Sequence, residues 1–128
     1  MQVLFVITSL LMILCGLQLY FIQKRQGLAV AVIASGIASV FYWIQPTDSV
    51  VSSRLYVDCL FAAIATATFM YTVEKTHLVC TLVGWITLWY ALSWSLTIYF
   101  GKATQIQRTC HFCGHVFIIA LLSVLCHR

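Results

Sequence analysis

Residues 3–22 read VLFVITSLLMILCGLQLYFI and are followed at once by QKRQ, residues 23–26. A bilayer's hydrocarbon core is about 30 Å thick and takes about 20 mostly apolar residues of α-helix to cross. The run has that length and carries no charge. It does not alternate between apolar and polar residues, as a membrane-spanning strand does over about 10 positions. Lipid leaves no backbone group unpaired, so a run of this kind reads as a transmembrane helix.

The same reading extends along the chain. Further apolar runs occupy residues 27–44, 55–73, 78–100 and 110–126. Polar punctuation separates them. Gln45-Pro46-Thr47-Asp48-Ser49 reads as a turn, because Pro46 lacks an N–H and biases Gln45 away from helix. Glu74-Lys75-Thr76-His77 is a short link, and residues 101–108 are polar again. The last run is marginal in length, so the expectation is five spans, or four if the last lies in the interface. The expected fold is a single-domain, all-α, polytopic transmembrane helix bundle over residues 1–128.

Composition agrees. Of 128 residues 62% are hydrophobic and 8% charged, against about 25% charged in an ordinary soluble domain. That excludes a cytosolic enzyme, a nucleic-acid-binding module and a disordered chain. The net charge of +4 suits anionic headgroups and needs no nucleic acid. The first run has no basic residue before it and is too long for a typical signal-peptide core, so it is read as a span. Its basic residues follow it. The positive-inside rule then places the N-terminus outside and Lys24, Arg25, Lys75 and Arg128 on the cytoplasmic side, with Arg54, Lys102 and Arg108 opposite. The expected location is an integral, multi-pass position in a membrane the residues do not name. Membrane lipids and other subunits of a membrane complex are the expected partners.

Ionisable residues within spans are costly and ask for a partner or a task. Asp58 opens the third span, with Arg54 one helical turn earlier. The two can form an interfacial ion pair, or Asp58 can be a buried carboxylate that holds a metal-bound water or relays a proton. His111 and His115 form H-x-x-x-H. On a helix these positions lie about 40° apart around the axis, so two imidazoles on one face can grip one metal ion. Cys110 and Cys113 overlap the same stretch as C-H-F-C-G-H. That pattern reads either as a Cys2His2-type knuckle in a loop or as a helix on which only one pair is functional. The His pair is preferred because residues 116–125 continue as an apolar helix. The remaining cysteines behave as small hydrophobes. His77 is a further candidate, as a substitute metal ligand or as a haem partner for His111. Ala31, Ser35 and Ser39 repeat at helical spacing, as do Ala63 and Ala67, and both stripes suit close helix packing. Trp43 reads as part of an interfacial aromatic belt, and Trp85 and Trp89 as a packing stripe or a pocket wall.

Ser39-x-x-x-Trp43, Asp58 at the start of the next helix and His111-x-x-x-His115 on the last helix together resemble the polar core of one superfamily. It contains the alkaline ceramidases and the progestin and adipoQ receptors (the CREST hydrolases). The resemblance spans residues 35–119 and rests on about five of them. It implies a zinc-dependent intramembrane lipid or amide hydrolase, reduced or degenerate. His111 and His115 would be metal ligands, and Asp58 would hold or deprotonate the zinc-bound water. Ser39 would lie near the scissile carbonyl, and zinc would be the cofactor. The sequence departs from that family at Trp43, which stands where its first histidine would be, and in having five spans rather than seven. The alternative expectation is a non-catalytic structural subunit of a larger membrane complex. A channel or transporter ranks below both, because no acidic pore lining and no broken helix is evident.

Overall fold

A computed structural model describes residues 2–44, 53–101 and 104–127 of the chain. It contains five helices and, among the described residues, no strand: α1 (Gln2–Phe21), α2 (Gln26–Ile44), α3 (Ser53–Thr72), α4 (His77–Phe100) and α5 (Gln105–Cys126). The Pro46 turn lies outside the described residues, as does the Arg54 side chain of the expected ion pair.

Local chemistry sets the ends. Thr76 and Thr104 are extended residues whose hydroxyls accept from the backbone N–H of Val79 and Gln107, so each caps a helix start. Gly101 closes α4 in the left-handed conformation, at φ 71°, where a Cβ would be strained. The Thr104 cap lets α5 begin at Gln105, well before the apolar run at 110–126. The last helix is therefore not marginal. α1, α2, α4 and α5 are each long and apolar enough to cross a membrane, whereas the apolar part of α3 is the shorter Val57–Thr72.

Neighbour order differs from chain order. Backbones approach closely between α1 and α2, α2 and α3, α1 and α5, and α4 and α5. Among the described residues α3 and α4 make no such approach, although four residues join them. The helices thus form an open arc, α3–α2–α1–α5–α4, with α3 and α4 as its arms.

The tightest seam is α1 against α2. A Cβ on Gly16 would lie 2.5 Å from Ile33, and one on Gly36 would lie 2.7 Å from Ile13 and 3.2 Å from the Ser9 carbonyl oxygen. Each glycine is the hole for an isoleucine of the facing helix. Close approach through small residues is the packing expected of helices with no water to drive them together. Of the predicted small stripe, Ser35 and Ser39 are buried, with Gly36 beside them. The alanines Ala63 and Ala67 of α3 are exposed instead. Leu19, Leu28, Ala29, Val79, Leu122 and Leu125 form the main core at one end of the bundle. Large apolar side chains also cover the outside, among them Val3, Leu14, Leu60, Tyr71 and Ile98.

Candidate functional site

At the end of the bundle where α1 begins, the arc gathers polar and aromatic side chains from all five helices. Ser39 on α2, Asp58 on α3, Tyr90 on α4, and His111 and His115 on α5 line one cavity of about 290 Å³. Ser39, Asp58, His111 and His115 are therefore brought to one place, whereas Cys110, Cys113 and His77 do not line the cavity. The C-H-F-C-G-H stretch is helical throughout, which removes the loop knuckle. His77 is exposed at the first position of α4. It stands about 20 Å along that helix from Tyr90, so neither a substitute ligand nor a His77–His111 haem pair can form.

The imidazoles are held in an aromatic box. The His111 ring lies 5.0 Å from Tyr90, 5.4 Å from Phe5, 5.7 Å from Trp43 and 5.0 Å from His115 between centroids. The Phe5 ring meets His115 edge-on at 5.1 Å and stacks flat on Trp43 at 3.7 Å. Trp43 is buried at 3% exposure, so it is part of this wall and not a belt residue at the rim. Tyr90 can lie close because residue 114 is glycine: a Cβ there would sit 3.1 Å from two Tyr90 ring carbons.

Hydroxyls of α1 complete the site. The buried Thr8 hydroxyl lies 3.1 Å from the Leu4 carbonyl, 3.0 Å from that of Phe5 and 3.0 Å from His115 Nδ1. A threonine hydroxyl has one hydrogen, and in a helix it turns back on the preceding turn's carbonyls. With its hydrogen given to a carbonyl, Thr8 accepts from Nδ1–H, and in that tautomer the lone pair of His115 is on Nε2. Ser9 and Ser39 share a hydrogen bond of 2.8 Å across the α1–α2 seam. Phe5, Thr8, Ser9, Tyr90 and Gly114 were not among the sequence candidates. The adjacent hydroxyls of Thr8 and Ser9 inside an apolar run were a readable signal; Tyr90 had none that set it apart from its aromatic neighbours.

Asp58 is 6% exposed. Among the described residues no hydrogen bond or ion pair reaches it, and its carboxyl faces the cavity. A buried carboxyl without a partner is expensive, so this wall offers acceptor oxygens to whatever fills the space.

A three-ligand metal centre is not complete in this arrangement. Catalytic zinc takes three protein ligands and leaves one position open. Among the described residues no three His, Cys, Asp or Glu side chains are grouped to hold a metal ion. His111 and His115 supply two imidazoles, and the indole of Trp43, which cannot ligate, stands beside His111. No family model, curated protein or solved structure matches the chain.

Proposed function

We propose that the chain is a multi-pass membrane protein that binds a lipid inside the bilayer. Its site is laid out like a reduced intramembrane hydrolase. The reading rests on one observation: the buried Asp58, without a partner among the described residues, faces the same cavity as Ser39, His111 and His115. Four helices are long and apolar enough to cross, and a surface this apolar calls for lipid around it. Asp58 accepts a hydrogen bond from the lipid's polar part. His115 offers its Nε2 lone pair, and Thr8 keeps its ring in place. The layout resembles that of the CREST superfamily at Ser39, Asp58, His111 and His115, while Trp43 replaces the third imidazole that zinc hydrolysis there requires. Binding without turnover is therefore the reading the residues support best.

The test is native mass spectrometry of gently purified protein beside Asp58→Leu and His111→Ala/His115→Ala variants. The expected result is about one lipid retained per chain, lost in both variants while helix content is kept. Equal lipid retention in all three proteins would overturn the reading. Hydrolysis of a lipid amide by the wild type, with stoichiometric zinc lost in the double variant, would replace it with the hydrolase reading. One observation favours a second reading, a structural subunit: Ala63 and Ala67 of α3 are exposed, and among the described residues α3 meets only α2. Co-purification of a second membrane chain in fixed stoichiometry, with no lipid retained, would decide for it.

A further inference from the structure

The arms of the arc leave an opening. Ala62, Ala63, Thr66 and Met70 on α3, and Thr87 and Trp94 on α4, line the cavity and are exposed at its mouth. Buried residues of the other three helices, such as Met12, Leu28 and Leu122, form its back wall. The cavity is thus a groove open sideways between α3 and α4, polar at one end and apolar at the other.

Its dimensions and chemistry select an occupant. From Asp58 to Met70 the lining of α3 covers about 18 Å, at about 1.5 Å per residue. That is close to one leaflet's share of a hydrocarbon core about 30 Å thick. The polar end lies about 9 Å inside the first residues of α1 and α5, counting the rise to Thr8 and His111. This depth is below the headgroups, where a lipid's chain meets its polar linkage. A cavity of about 290 Å³ does not enclose a transmembrane helix about 10 Å across. The volume also sits at the low end of small-molecule sites, which run from about 300 to 1,000 Å³, and leaves room for one chain rather than two.

The polar end narrows the head. Among the described lining residues there is no Lys or Arg, and a phosphate there would meet the Asp58 carboxyl. The Asp58 carboxyl, without a partner among the described residues, asks for a hydrogen-bond donor and would repel a second carboxylate at close range. Resting on the lipid-binding reading above, we infer that the groove takes a single-chain lipid with an uncharged hydroxyl- or amide-bearing head. The lipid enters sideways from the bilayer between α3 and α4, its head at Asp58 and its chain running toward Met70.

The experiment uses the full chain in lipid nanodiscs and a monoacylglycerol carrying a photoactivatable diazirine in its chain. The label is mapped by peptide mass spectrometry and competed with unlabelled monoacylglycerol, palmitic acid or phosphatidylcholine. The expected result is labelling of the groove faces around residues 62–70 and 83–94. Unlabelled monoacylglycerol should compete at least ten-fold better than either comparator. Ala62→Trp and Thr66→Trp, each at the exposed mouth, should each cut labelling about ten-fold. Ala91→Trp, exposed on α4 and outside the lining, should leave it unchanged. Elution volume and circular dichroism show that each variant is folded. If lipid is retained in native spectra but labels only outward faces, or if both tryptophans leave labelling intact, the sideways route is overturned and lipid binding survives. Better competition by palmitic acid or phosphatidylcholine overturns the head assignment. If no lipid is retained at all, both readings fall.

Discussion

His115 keeps its place through Thr8, a residue 107 positions away in sequence. Removing one partner of a buried hydrogen bond costs about 1–3 kcal/mol, although within membranes such bonds average about 0.6 kcal/mol. Thr8→Val is therefore expected to lower stability by about 1 kcal/mol, read as a shifted unfolding midpoint in mixed micelles. Thr8→Ser, which keeps the hydroxyl, should recover most of that. Trp43 supports the opposite kind of test, a gain. It lies against His111, where the hydrolase-like layout proposed above would need a further histidine. Trp43→His adds a third imidazole beside two existing ones, the ligand number of catalytic zinc. The expected outcome is about one zinc per chain by elemental analysis, against well under one in the wild type. The exchange also removes the ring stacked on Phe5, at a stability cost of about 3 kcal/mol by the scale of large-to-small core changes.

At the scale of elements, the α1–α2 seam and the open face of α4 respond differently to the same type of change. Gly36 has no room: a Cβ meets Ile13 at 2.7 Å and the Ser9 carbonyl at 3.2 Å. Gly36→Val is expected to destabilise by about 1–3 kcal/mol through overpacking and to strain the Ser9–Ser39 bond that joins the helices. Gly84 has nothing within 4 Å. Gly84→Ala should be neutral or stabilising by up to about 1 kcal/mol, the helix-propensity difference. Thermal unfolding of the two variants side by side checks the contrast. The caps explain why the last helix was under-read from sequence. Hydropathy begins at Cys110, but Thr104 satisfies the first turn, and Gln107 reaches Ser93 Oγ on α4 at 2.7 Å. Polar residues at this start are held by α4, a contact that apolarity alone does not reveal.

For the whole molecule, up-and-down succession of five helices puts Lys24, Arg25 and Lys75 at the end opposite the site. The positive-inside rule predicts that this end is cytoplasmic. A Lys75→Cys variant in a cysteine-free background is expected to react with a membrane-impermeant maleimide only when the cytoplasmic face is open to it. Labelling from the outer face of intact cells would reverse the orientation. Much of this architecture was legible in the residues. Uncharged runs such as 3–22, broken by QKRQ and by Glu74-Lys75-Thr76-His77, announce helices and their connections, because crossing hydrocarbon is a local requirement on each stretch of about 20 residues. The chemistry-bearing residues were legible too, since Asp58, His111 and His115 stand out against apolar neighbours. What sequence did not determine was which faces meet. A helix that is apolar all round carries no periodic contrast to mark its inward side. The order α3–α2–α1–α5–α4, the gap between α3 and α4, the Thr8–His115 bond and the use of Trp43 as a wall were decided by tertiary packing alone. There, shape and a few buried hydrogen bonds discriminate where hydrophobicity cannot.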